Sequence, residues 1–389
     1  MPGFEVIGAE EQAEVNDIFA RGGVLFRHGF DALRNDCYKV RDFEAAFASY
    51  MNVPHALAVS SGTAALRVAL AVLDLQPGDE VITQSFTFVA TAEAIIESRA
   101  VPVCCEVDGT LNMDPADLER RITPRTRAVI AVHMLGTPAR LREISAICER
   151  HKLILIEDAA WGCGGSLDGR ALGTWGTMGT FSFDFAKTMT TGEGGMIVFH
   201  DRRDYERAAA WHDHGHENNP AVPRWEDTRS GSGFNFRMTE LQGAVGLAQL
   251  RKLNDVVRHQ QKNRDAIWRS ISDLPGVVAR DVPVGSIETA DALVFETPSP
   301  TVAREVRARL VAAGLATKIL PEAFTWHFAG TWSHMPELVA RHGDLSKAFP
   351  ATAARLARCV SLPVTVNMDE GVPARVRAAI TPVLVEAES

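Results

Sequence analysis

Apolar and polar positions alternate with two different periods along the first 240 residues. Short apolar runs of strand length recur at His55–Ser60, Glu80–Thr83, Val101–Val107, Ala128–His133, Leu153–Ile156, Thr180–Phe185 and Met196–Phe199. Between several of them lie amphipathic stretches with helical spacing, such as Thr63–Leu73 and Ala139–His151. Strands alternating with helices predict an α/β domain with a largely parallel sheet, whose ligands bind beyond the carboxyl ends of the strands. From about Leu241 the texture changes to a long, charged, helix-like stretch running through Arg264, and a smaller α+β unit is expected to follow. The reading is a large domain over residues 1–250 and a small one over 251–389. No internal repeat or low-complexity tract interrupts the pattern.

Composition narrows the chemistry. A chain of 389 residues with 46% hydrophobic content can bury a substantial core. Lys plus Arg total 40 against 49 acidic residues, a net charge of −9, so a basic face for nucleic acid or an anionic membrane is not expected. The first residues, MPGFEVIGAEEQAEV, do not read as a signal peptide, and nowhere do eighteen uninterrupted apolar residues occur, so the expectation is a soluble, cytoplasmic protein. Six cysteines form no CxxC pair and read as small buried hydrophobes. His212, His214 and His216 alternate without a nearby thiol, which favours a hydrogen-bonding or substrate loop over a metal site.

Four stretches carry candidate chemistry. In SFDFAKTMTTGEGG (182–195), Phe181, Phe183 and Phe185 predict a half-buried strand, and Lys187 follows at the edge of a core before a glycine-rich turn. A buried amine is easily deprotonated, the condition for a nucleophilic or Schiff-base lysine. In VSSGTAAL (59–66) a strand ends and a helix begins, so Ser61, Gly62 and Thr63 suit a phosphate, although simple helix capping accounts for the same residues. LILIEDAAW (153–161) places two carboxylates after an apolar strand, and Asp158 there needs a cation, either a protonated ring nitrogen or an arginine. GFNFRMTELQ (233–242) is an aromatic turn leading into a helix capped by Thr239, its polar residues aimed at a ligand or at a protein neighbour.

Taken in order, SSGTAAL (60–66), FTFVA (86–90), EDAA (157–160), FSFDFAK with TGEGG (181–195) and GFNFRMTELQGAVGLAQL (233–250) resemble the DegT/DnrJ/EryC1/StrS family of pyridoxal-phosphate sugar aminotransferases. RHGFDALRNDCYKVRDFE (27–44) and TWHFAGTWSHMPEL (325–338) are similar to the branch that makes 8-amino-3,8-dideoxy-octulosonate. The resemblance implies fold type I: a large domain built on a mostly parallel seven-stranded sheet, plus a smaller α+β C-terminal domain. It implies that Lys187 holds pyridoxal 5′-phosphate as an internal aldimine and shuttles protons, and that Asp158 pairs with the pyridine nitrogen. Ser61, Gly62, Thr63 and Ser182 would form the phosphate cup, and Phe88 would lie flat against the ring. Asn235 would reach the phosphate of a second subunit, making a homodimer with shared sites.

Trp161 stands where the family usually has glutamine or histidine near the cofactor's O3′; indole offers one donor and no acceptor. His214, Arg237, Trp326 and His327 are candidate substrate contacts, Arg237 through a bidentate bond to a carboxylate. Glu193 receives no chemical step. The implied reaction is ping-pong: glutamate or glutamine gives up its amino group, the cofactor keeps it as pyridoxamine phosphate, and a carbonyl sugar accepts it. That sugar is an acidic eight-carbon acceptor or a nucleotide-linked 3-keto or 4-keto hexose. Family members that dehydrate sugars carry histidine where this chain has Lys187, and a non-catalytic relative would not need Lys187 and Asp158 together. The glycine cluster alone lacks the context of a nucleotide-binding motif.

Overall fold

The computed structural model describes residues 2–219, 221–321 and 324–387. Seven strands form the main sheet: β1 (His55–Val59), β2 (Glu80–Gln84), β3 (Val101–Cys105), β4 (Thr126–Val132), β5 (Ile154–Asp158), β6 (Met178–Ser182) and β7 (Gly195–Phe199). Their order is β1-β7-β6-β5-β4-β2-β3. Every neighbouring pair is parallel except the two made by β7, which runs antiparallel to both β1 and β6. Nearly all strand residues are buried, as expected where helices cover both faces.

Alternation along the strands decides what each face meets. Ala128, Ile130, Val132 and Ile156 join one core with the Gly62–Ala71 and Val89–Glu97 helices. Val129, Ala131 and Leu155 face the other side, against the Leu141–His151 helix. The same period splits the two carboxylates of β5. Glu157 points to the second face, where Oε2 lies 3.0 Å from His133 Nε2 and the carboxylate accepts the backbone N–H groups of Gly173 and Gly176 at 2.8 Å each. Asp158 is left for the first face.

The boundaries differ from the expected ones in an instructive way. The run expected to continue to Phe185 leaves the sheet at Ser182, because β7 begins at Gly195 and pairs no further than Ser182. Lys187 therefore sits in a turn beyond β6, where its N–H donates to Asp184 O (3.0 Å) and its carbonyl accepts from Gly3 N (3.1 Å). Conversely β5 runs on through Asp158, which pairs with Val132 and Thr180.

The Glu240–Ile271 helix is 32 residues long and spans the expected division at residue 250 without a break. Its early residues Leu250 and Leu253 pack with the Lys39–Met51 helix; Ile267 and Ile271 join the core of the C-terminal region. That region has a three-stranded antiparallel sheet of Val278–Ala279, Ala292–Glu296 and Cys359–Pro363. The Pro300–Ala312 and Val372–Glu386 helices pack with it. One hydrophobic cluster nevertheless runs from the main sheet through Val294, Leu320, Phe328 and Trp332.

Candidate active site

A cavity of about 390 Å³ opens at the carboxyl ends of β4, β5 and β6. Its lining includes Ser61, Gly62, Thr63, Phe88, Asp158, Trp161, Ser182, Lys187 and His327, and the structure thereby brings together residues separated by up to 266 positions.

The floor follows from strand register. Asp158 ends β5, is buried, and among the described residues is met by two donors, Thr91 Oγ1 at 3.1 Å and Ala160 N at 3.2 Å. Burial raises its carboxyl above the usual range, opposed by those two hydrogen bonds and by the charges of Lys187 and His133. Among the described residues no arginine pairs with it. Thr91 was not anticipated; it sits one helical turn beyond Phe88, and Thr87 Oγ1 lies 2.9 Å from its hydroxyl.

At one end of the cavity the Gly62–Ala71 helix begins. Ser61 is its N-cap and accepts the N–H of Ala64 at 3.0 Å. A Cβ on Gly62 would stand 2.7 Å from Ser182 Cβ, so only glycine lets this helix terminus approach the end of β6. The first turn's backbone and the hydroxyl-bearing Thr63 and Ser182 line this end of the cavity, where a helix start's free N–H groups suit a phosphate. Capping and anion binding are compatible here, since Ser61 meets one N–H only.

Lys187 lines the same cavity, and burial lowers its amine to about 8. Its Nζ lies 3.5 Å from the centroid of the Trp161 ring. Phe88 is partly exposed at the mouth, 5.4 Å from the His327 ring and stacked at 6.1 Å on Trp326, which is itself 59% exposed. A cradle for an anion, a flat aromatic, a buried acid lacking a cation and a deprotonation-prone amine fit pyridoxal phosphate group by group.

Four expected site residues do not line the cavity. Trp326 is at the rim through Phe88 but does not line the cavity. Asn235 is exposed and outside it, its Oδ1 accepting from Arg237 N at 3.3 Å. Arg237 is ion-paired with Asp213, which Arg224 (2.5 Å) and His28 (3.2 Å) also approach, so its guanidinium is engaged within the chain rather than turned to the cavity. His214 is exposed on the same loop, while His212 turns to Ala209 O (2.5 Å) and His216 to Asp227 (3.2 Å). The segment bearing Asn235 does continue the sheet edge, since Phe236 O accepts from Ser60 N at 2.8 Å. Glu193 lines the rim, and its carbonyl accepts from Thr191 Oγ1 and Gln242 Nε2 at 2.6 Å each, in keeping with a turn-supporting role.

Solved structures share this architecture over almost the entire chain. The aminotransferase TlmJ from Streptoalloteichus hindustanus superposes with a TM-score of 0.85 at 26% identity, covering 99% of this chain and 98% of the other. The ketimine complex of DesV from S. venezuelae gives 0.83 at 27%, covering 97% and 95%. Fold and site together define a pyridoxal-phosphate-dependent aminotransferase of fold type I. The profile of the DegT/DnrJ/EryC1/StrS aminotransferase family matches residues 27–381, and the chain belongs to that family. Among curated relatives, the GDP-perosamine synthase of Vibrio cholerae is 35% identical over 276 residues, 71% of each chain. The Caulobacter vibrioides GDP-perosamine synthase is 42% identical over 215 residues, 55% of this chain and 57% of its own length. The chain acts as a sugar aminotransferase. No described helix is long and apolar enough to cross a membrane.

Proposed function

We propose that the chain moves an amino group from glutamate or glutamine to the carbonyl carbon of an acidic eight-carbon sugar, and that it does so as a homodimer. The observation that carries the reaction class is the convergence of Lys187, Asp158 and the Ser61–Gly62–Thr63 helix start with Ser182 on one cavity. The bound cofactor supplies an electron sink for the negative charge that develops at the donor's Cα. Asp158 would pair with the cofactor's ring nitrogen and keep it protonated, and a cation there would relieve the cost of burying the carboxylate. Lys187 would hold the cofactor through its amine and, once the donor's own amine has displaced it, would carry the proton between the donor's Cα and C4′ of the cofactor, work suited to an amine poised near neutrality. The helix start and the two hydroxyls would hold the phosphate, Phe88 would pack on the ring, and Asn235 of a second copy would close the cup. Trp326 and His327 present an aromatic mouth to the sugar.

The acidic sugar is favoured by residues 27–44 and by 325–338, the second of which contributes His327 to the cavity wall and Trp326 to its rim. A second reading, a nucleotide-linked keto hexose, has support in the named relatives, which include GDP-perosamine synthases and a dTDP-4-dehydro-2,3,6-trideoxy-D-glucose 4-aminotransferase from Saccharopolyspora spinosa. Keto- and aldehydo-sugars, free acids against nucleotide conjugates, are to be incubated with each donor and the amine detected by mass. Amination of nucleotide hexoses alone replaces the first reading with the second. Lys187→Ala is expected to abolish turnover and borohydride trapping of the cofactor; trapping that persists would locate the reactive amine elsewhere.

A further inference from the structure

Trp161 is not alone with Lys187. Lys318, from the C-terminal half of the chain, brings its Nζ to 4.7 Å from the centroid of the same indole ring. Lys318 is ion-paired with Asp291, whose carboxylate is fully buried and whose Oδ2 has no hydrogen-bond partner among the described residues. The arrangement is anchored at several points. Thr289 Oγ1 donates to Trp161 O at 3.1 Å, Thr289 N to Gly136 O at 3.2 Å, and Lys318 N to Ser361 O at 2.7 Å. Two amines thus lie 3.5 and 4.7 Å from the centroid of one indole ring, and the buried Asp291 carboxylate pairs with the second of them.

An ammonium is attracted to an indole face, the more so when shielded from water. A second cation nearby opposes that attraction, and a buried carboxylate restores it. We propose that Trp161, Lys318 and Asp291 are positioning residues that fix how readily the Lys187 amine takes up and gives back its proton. The ring seats the amine, and the Lys318–Asp291 pair sets the charge around it without touching the reacting atoms. The forces on Lys187 agree in kind: burial lowers its proton affinity most, Asp291 raises it, Lys318 lowers it, and Asp158 and Asp184 raise it. Glu193 and His327 complete the titratable groups on the cavity wall.

The inference rests on Lys187 being the reacting amine, so its test reads the amine itself, with no substrate present. Full-length cofactor-free protein is acetylated competitively across pH, and the Lys187 peptide is followed by mass. K318M is expected to raise the labelling midpoint and D291N to lower it, each on the order of one pH unit, with the double variant returning close to the parent. A fold effect would not produce opposite signs that cancel. Midpoints that stay put, or that move in the same direction, overturn the proposal. Should a single variant strand a buried charge and not fold, W161L carries the test: a lower midpoint supports the inference and an unchanged one ends it. An inactive enzyme with opposed shifts would instead sink the transaminase reading alone.

Discussion

At the scale of single residues the site holds an acid and an amine that burial penalises. Lys187 has a folded proton affinity near 8 against an ordinary value of 10.5, caused first by desolvation. Its sign is that of a group with depressed affinity for a proton it needs in order to be charged. Below about 8 the buried ammonium penalises the fold in full; the penalty fades as pH rises and is gone above 10.5. Lys187→Met is therefore expected to stabilise the cofactor-free protein at pH 7 by up to about 3 kcal/mol, a gain that closes by pH 11 in urea melts. A variant no more stable than the parent would mean that water reaches the amine. Lys187 and Asp158 were legible in the sequence because each follows an apolar run at a strand end. Lys318, Asp291 and Thr91 were not: nothing local distinguishes them, and they matter only because the fold carries 289–291 and 318 to the Trp161 loop. The ion pair of Arg237 with Asp213 was hidden for the complementary reason, since it is invisible until the two segments pair.

At the scale of elements, strand existence was readable and strand ends were not. The apolar runs located all seven strands, but register with neighbours decided where each stopped: β6 ends at Ser182 because β7 starts at Gly195, and β5 includes Asp158 because β4 and β6 both pair with it. The helix start facing Ser182 shows how tightly such ends are matched. Adding one methyl at Gly62 would place it 2.7 Å from Ser182 Cβ and 3.0 Å from its Oγ. Gly62→Ala should cost about 1–3 kcal/mol in a thermal melt and, more tellingly, release cofactor on dialysis that the parent retains, read from the loss of its visible absorbance. Unchanged retention would show that the anion cradle is not at this helix start. The same matching explains the edge of the sheet: Glu44 Oε1 accepts Ala58 N at 2.6 Å and Arg27 Nη1 donates to Ala58 O at 2.9 Å, so an ion pair occupies hydrogen-bonding groups that an edge strand would otherwise expose.

At the scale of the whole molecule, Asn235 lies outside the cavity of its own chain, and the proposal that it serves a second copy makes a strict prediction. Lys187→Ala and Asn235→Ala proteins should each be inactive or nearly so, yet after unfolding and refolding together their mixture should regain roughly a quarter of wild-type activity, from mixed dimers holding one intact site. Failure to complement, with dimers formed, would confine Asn235 to its own subunit. The long Glu240–Ile271 helix bears on a different question. It begins against the sheet that carries the lysine and ends inside the C-terminal core, and a continuous apolar cluster joins the two regions beside it. Splitting the chain at 250 would leave a severed spar and two raw surfaces, so neither piece should survive by itself. Retargeting this enzyme to another sugar is accordingly better sought in the loops around the mouth than by exchanging the C-terminal third, which a continuous helix and a shared apolar cluster tie to the main sheet.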